Sequence, residues 1–314
     1  MGVYTFEYEW EDARLLAYPS FAYPMLEVVG RDTIRKVIGF CSGLEIRLFR
    51  GKAIARHDSD LCLRYAEVML DPQHFADPDR VKGLREPLAS IARELFAFYR
   101  GFTVLSSPLD DVVLFASIAM SRYTAFHHNT VKWVKRLLDY FGLMEKAAWS
   151  NEKEMYLVAA SRSYQLATLP EALRHYLLLR FEILEETNWR RVRRALMYVK
   201  GVGPKVADAY LLFVKRVRSA VPSDRNLMNL LERVGIKGLK PPEKRLCMKY
   251  ECDECPARDR CVRKFVSDSL GEYAGLFQTV AYVHADVFCN ENRCNLCPIR
   301  AFCLAYSQGY LYGG

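Results

Sequence analysis

The spacing C-x4-C-x2-C-x5-C occurs twice in this chain. It reads CMKYECDECPARDRC from residue 247 and CNENRCNLCPIRAFC from residue 289, with all four positions offset by 42 residues. Such a repeat fixes two short loops around bound groups, and the rest of the fold must accommodate them. It holds eight of the ten cysteines. A disulfide framework would normally imply export. The opening stretch MGVYTFEYEWEDARLL, however, mixes acids with aromatics and lacks the basic and then apolar regions of a secretion signal. A cytoplasmic protein is therefore expected, and clustered thiols in a reducing compartment point to metal. Structural zinc normally uses two short cysteine pairs, whereas each set here has a single CxxC. Four cysteines in one short loop suit a [4Fe–4S] cluster. The expected ligands are Cys247, Cys252, Cys255 and Cys261 for one cluster, and Cys289, Cys294, Cys297 and Cys303 for a second, where zinc is the alternative. The helix-like LGEYAGLFQTVAYVHADVF separates the sets too far for them to exchange a fourth ligand, as two-cluster ferredoxins do. Cys41 and Cys62 sit in apolar surroundings and are expected as core residues.

At 314 residues and 51% hydrophobic content the chain can bury a substantial core, as one large domain or two to three small ones. No apolar run reaches membrane-spanning length. The formal charge of +8 is weak support for a polyanionic partner. Its distribution says more: nine Lys/Arg fall between Thr187 and Arg218 against one acid, Asp208. Such a block suits phosphate binding or an ordinary solvated helix face, and charge alone leaves both open.

Residues 25–58 are β-rich, with short runs dense in Val, Ile, Leu and Phe separated by GRD and SG turns, so a small antiparallel sheet is expected. A loop follows around LDPQHFADPDRVKG. From about 87 to 245 the apolar spacing is helical, with helices expected over PLASIARELFAFYRG, SSPLDDVVLFASIAMS, NTVKWVKRLLDYFG, 151–161, 170–186, 188–199 and 204–218. The expected division is an N-terminal α+β domain (1–85), a helical core (86–245) and a cysteine-rich C-terminal region (246–314). A monomer is expected.

Between the last two helices lies KGVG, making a helix, a tight hairpin and a helix. Gly201 and Gly203 permit positive φ and close backbone approach, and Pro204 suits a first helical turn. Free N–H groups of Gly201, Val202, Gly203 and the second helix start can bind a phosphate. Lys205 follows at the mouth of that helix. Nineteen residues later Asp224 precedes an amphipathic helix ending near Gly235. Taken singly, Asp224 reads as an N-cap and Lys205 as an exposed lysine.

Taken together, GVGPKVADAYLLF and AVPSDRNLMNL resemble the helix-hairpin-helix/Gly-Pro-Asp superfamily of DNA glycosylases, nearest in wording to its 8-oxoguanine glycosylase and endonuclease III branches. The resemblance spans roughly residues 25–261 and is strongest at 197–230. It implies a mainly α, two-lobed glycosylase fold with a small N-terminal antiparallel β element and a C-terminal iron–sulfur region. It also implies Lys205 as nucleophile, Asp224 as the essential carboxylate, and double-stranded DNA containing a lesion as partner. The expected activity is a base-excision glycosylase with abasic-site lyase activity. The alternatives are a monofunctional adenine or uracil/thymine mismatch glycosylase, or a non-catalytic iron–sulfur DNA-binding protein. Iron–sulfur members have a cysteine loop where the first set lies, with the same x2 and x5 gaps but six residues in the first gap instead of four. The second set has no counterpart. Asn226 stands where the family usually has His, and Ser223 where Val is common. Arg122 is the candidate to fill the gap left by a flipped base, with His127, His128 and Asn129 in the same loop.

Overall fold

The computed structural model describes residues 2–307. Five strands form one antiparallel sheet in the order β1–β5–β4–β3–β2: β1 (Gly2–Glu7), β2 (Leu26–Val29), β3 (Thr33–Lys36), β4 (Glu45–Phe49) and β5 (Lys52–His57). The expected sheet over 25–58 is present. β1 is an addition, whose residues alternate half-buried and exposed while pairing with β5 from Gly2 opposite His57 to Glu7 opposite Lys52. Two helices pack on this unit, α1 (Ala13–Ala17), capped by the Asp12 carboxylate, and α2 (Asp60–Leu70).

Cys41 and Cys62 are buried, but they are also joined in a disulfide with their Cα atoms 5.3 Å apart. The turn before β4 and the first turn of α2 bring them together, a tertiary fact that local composition does not carry.

The remainder is helical: α3 (Leu88–Phe98), α4 (Asp111–Met120), α5 (Val131–Phe141), α6 (Glu152–Ala159), α7 (Tyr164–Glu185), α8 (Trp189–Tyr198), α9 (Pro204–Phe213), α10 (Arg225–Arg233), α11 (Lys244–Lys249), α12 (Val262–Leu270), α13 (Ala274–His284) and α14 (Leu304–Ser307). Two bounds differ from expectation. The helix expected from 170 begins at 164, where the Ser163 hydroxyl accepts from Gln165 N–H, and it carries Pro170 inside. The helix expected to reach 218 stops at Phe213, because Arg216 turns left-handed (φ 54°) and Val217 N–H bonds back to Leu211 O.

One hydrophobic core runs from Tyr8 to Ile299. α4, α9 and α13 are buried on almost every face, which is why their sequences show little amphipathic contrast. Among the described residues, no helix is long and apolar enough to cross a membrane.

Candidate active site and cysteine loops

α8 and α9 are joined by the predicted hairpin. Asn188 caps α8 by accepting from Arg190 N–H. Gly201 takes positive φ (79°), and its missing side chain leaves room for Arg122, whose Nη1 would lie 2.8 Å from a Cβ there. Gly203 differs from expectation: its backbone is extended, and a Cβ there would meet nothing. Its value is the open space it leaves at the α9 N-terminus. Val202 is also not a free donor, since its N–H bonds to Val199 O while its side chain anchors the hairpin in the core.

Pro204 opens α9 and sets Lys205 in the first turn. Lys205 is half-buried. Burial pushes its pKa below the ordinary lysine value, and the nearby Asp224 carboxylate opposes that shift. Asp224 is the N-cap of α10: its Oδ1 accepts from Leu227 N–H at 2.8 Å. Its Oδ2 accepts from Gln278 Nε2, also at 2.8 Å. Burial raises the Asp224 pKa, while the Leu227 N–H, Lys205 and Gln278 pull it down. The cap role and the pairing with Lys205 therefore coexist in one carboxylate. Among the described residues, no direct ion pair ties up the Lys205 ammonium.

Sequence reasoning missed Gln278, Tyr282, Asp286 and Tyr18, which follow one another outward from Asp224. Gln278 lies on α13, buried within LFQTVAYV, and a buried amide in so apolar a helix was the available signal. Tyr282, one turn later, is held above the usual tyrosine pKa by burial and by the charges of Asp224 and Asp286. Tyr18 donates to Asp286 Oδ1 at 2.9 Å, lies 5.9 Å from Tyr282 ring to ring, and stacks on His127 at 4.0 Å. Burial lowers the His127 pKa, and its Nε2 is buried with no hydrogen-bond partner among the described residues. His128 is exposed on the same π-helical turn. Asn129 Nδ2 donates to Thr124 Oγ1 at 2.8 Å. Arg122 is braced: it donates to the carbonyls of Ala119 and Gly201 and lies over the Tyr164 ring. Its neighbour Tyr123 is 95% exposed with φ 50°.

The basic block proves to be largely engaged within the protein. Arg193 is buried against Asp208, Arg190 and Arg194 meet Glu251, Lys200 meets Glu171, and Arg216 and Arg218 meet Asp71. A local count of charges could not see partners brought in by the fold.

Asp208 links α9 to the first cysteine loop. It is fully buried and accepts from Arg193 at 2.7 and 3.0 Å and from Arg263 at 2.9 Å. The Arg193 charge opposes the burial that raises the Cys247 pKa, and Arg263 Nη1 lies 3.6 Å from Cys252 Sγ. Two buried guanidiniums face one carboxylate, and Arg263 Nη2 has no hydrogen-bond partner among the described residues. Thiolates at Cys247 and Cys252 would offset the surplus positive charge. In the second loop the charges of Cys289, Cys294 and Cys303 all reach Cys297, and the Arg233 charge acts on Cys289. Among the described residues, no three ligands close tightly enough to hold a single metal ion. Each loop offers four free thiols with cationic side chains acting on them, a donor set that fits an anionic, thiolate-held group.

No protein-family model matches the sequence, and no curated protein is similar to it. Solved structures are. The Clostridium acetobutylicum 8-oxoguanine glycosylase/lyase, in complex with double-stranded DNA containing cytosine opposite 8-oxoguanine, is 13% identical over 91% of this chain and 98% of its own, with a TM-score of 0.62. Its apo form gives 13% identity, 90% and 98% coverage and 0.62. MBOgg1 in complex with a low-affinity DNA ligand gives 14% identity, 90% and 98% coverage and 0.64. The chain has the 8-oxoguanine glycosylase fold. Nearly the whole length of that fold is present, from the N-terminal sheet to the helices around Lys205 and Asp224.

Proposed function

We propose that the protein is a DNA glycosylase with abasic-site lyase activity, acting on a damaged, oxidised base in double-stranded DNA. The observation that carries this reading is the pairing of an amine depressed in pKa by burial with a capped carboxylate at the mouth of a glycine hairpin. A base in a duplex is out of reach, so the nucleotide is extruded at a cost of a few kcal/mol. The ring of Tyr282 near Asp224, continued by Tyr18 and His127, suits stacking on an extruded base. The open α9 N-terminus around Gly203 suits a backbone phosphate.

Lys205 Nζ, as the neutral amine, attacks the anomeric carbon. The glycosidic C–N bond breaks, and its electron pair leaves with the base, which takes up a proton. Asp224 stabilises positive charge developing on the sugar and assists proton movement. Opening of the sugar ring with loss of a nitrogen proton gives the Schiff base. That imine acidifies the neighbouring sugar proton, whose removal expels the 3′-phosphate and nicks the strand. Asn226, in place of the usual His, leaves Gln278 as the side chain that fixes Asp224 Oδ2. The iron–sulfur group that the cysteine loops fit would be held by Cys247, Cys252, Cys255 and Cys261, with a second at Cys289, Cys294, Cys297 and Cys303. Bound there it supplies thiolate charge and cross-links to the fold.

The test is borohydride trapping on duplexes carrying an abasic site or an oxidised base. A covalent adduct in wild type, absent in Lys205→Ala, is expected. Base release without an adduct would reassign the protein as a monofunctional glycosylase. Binding without either would leave a DNA-binding module.

A further inference from the structure

Asp224 caps the near end of α10 and meets Gln278, midway along α13, and the far ends of both helices meet the second cysteine loop. α10 begins at the Asp224 cap and ends with Arg233, whose positive charge acts on the Cys289 thiol and opposes the burial that raises its pKa. Just beyond it, Leu304, which follows Cys303, packs so closely that a Cβ on Gly235 would lie 3.5 Å from its Cδ1. α13 carries Gln278 and ends at His284, a fully buried histidine whose Nε2 lies 3.3 Å from Cys297 Sγ. Both helices are stiff and short: at 1.5 Å per residue, α10 spans about 13 Å and the stretch from Gln278 to His284 about 9 Å. Displacing either far end moves that helix's side of the Asp224–Gln278 hydrogen bond.

We propose that the second four-cysteine loop is an occupied metal centre that serves as the far-end anchor of α10 and α13, through Arg233 and His284, and so sets where Asp224 and Gln278 stand. Arg233 and His284 are positioning residues. The first loop makes a separate attachment, to α9 and Lys205 through Asp208, so each loop serves one of the two reactive side chains. The catalytic consequence rests on the function proposed above, whereas the mechanical link does not.

The test uses the full-length protein reconstituted anaerobically with ferrous iron and sulfide. It reads iron per chain, the iron–sulfur absorbance and amide hydrogen exchange. The double variant Cys294→Ser/Cys297→Ser is expected to lose about half the iron and keep the first centre's absorbance. Its Leu227 amide, capped by Asp224, should exchange about tenfold faster while α9 amides stay protected. Because that variant could unfold the terminus, Arg233→Gln provides an independent reading. It should retain all the iron, speed the same amide and lower kcat for base release with little change in KM, and Arg233→Lys should restore both. Unchanged iron in the double variant, or wild-type Leu227 exchange in Arg233→Gln, overturns the proposal. Loss of Leu227 protection in a protein that excises no base from any lesion would overturn the proposed function and leave this inference standing.

Discussion

Lys205 and Asp224 stand where burial disfavours the charge on each, and that has a cost outside the chemistry. Asp224 has a folded pKa above its unfolded value, which is about 3.9. Its contribution to stability is therefore present at low pH and is lost as pH rises through the folded value. Lys205 has a folded pKa below its unfolded value, about 10.4, so its contribution is present only above that and is lost as pH falls. At neutral pH both weaken the fold. Asp224→Asn keeps a good cap and removes the penalty, so it should raise Tm by about 2 °C at pH 7 by calorimetry while abolishing base release. The same substitution removes the charge that, among the described residues, holds the Lys205 pKa up. The midpoint of borohydride trapping against pH, on a preformed abasic site, should therefore move to lower pH. A Tm unchanged or lowered, or a midpoint moved upward, would contradict the electrostatics drawn here.

At the scale of elements, α13 must approach the end of α9 and the 218–220 segment that leads to Asp224 closely enough for Gln278 to reach that carboxylate, and Gly275 sets that distance. A Cβ at 275 would lie 2.5 Å from Leu212 Cδ1 and 2.7 and 2.9 Å from the carbonyls of Arg218 and Ala220, while Gly275 N–H already bonds Arg218 O at 2.9 Å. Two of those atoms are backbone and cannot step aside. Gly275→Ala should therefore cost about 1–3 kcal/mol in chemical denaturation and reduce base release more than DNA binding. Little of this junction was legible in the sequence. The hairpin, Lys205, Asp224 and most helices were, because each is written in local spacing: glycines at a turn, a proline at a helix start, apolar residues three and four apart. Gln278, Tyr282 and Tyr18 were not, because their roles arise where three distant segments meet. Acids illustrate the same limit. Asp111 stands in the first turn of α4, a common place for an acid, yet it accepts two bonds from Arg180 and one from the Tyr176 hydroxyl. Asp208 read as the lone acid of a basic block, yet it is the carboxylate on which two arginines converge.

Across the whole molecule, the sheet and the helical body are fastened by a buried ion pair. Lys36 at the end of β3 is 1% exposed, and its Nζ meets Asp110 Oδ2 at 2.7 Å and the Ile38 carbonyl at 3.1 Å. Burial lowers the Lys36 pKa, and Asp110 counters it. Asp110 also accepts from Phe40 N–H and from the Ser107 hydroxyl, both at 2.6 Å, and Gly39 gives it room, since a Cβ there would lie 2.2 Å from Oδ1. The carboxylate therefore satisfies a backbone donor as well as an ammonium, and the two substitutions at this pair are unequal. Lys36→Met leaves Asp110 buried with its cation gone and should cost about 3–5 kcal/mol in urea unfolding. Asp110→Asn keeps an acceptor for Phe40 N–H but strands the Lys36 ammonium. In Lys36→Met/Asp110→Asn neither charge remains and the backbone donor keeps its partner. The double variant should then be more stable than the sum of the single losses predicts, with a coupling of about 0.5–3 kcal/mol. Additive losses would mean that the sheet is held to the helices by packing alone, and that the pair adds nothing to the frame that presents Tyr18 to the site.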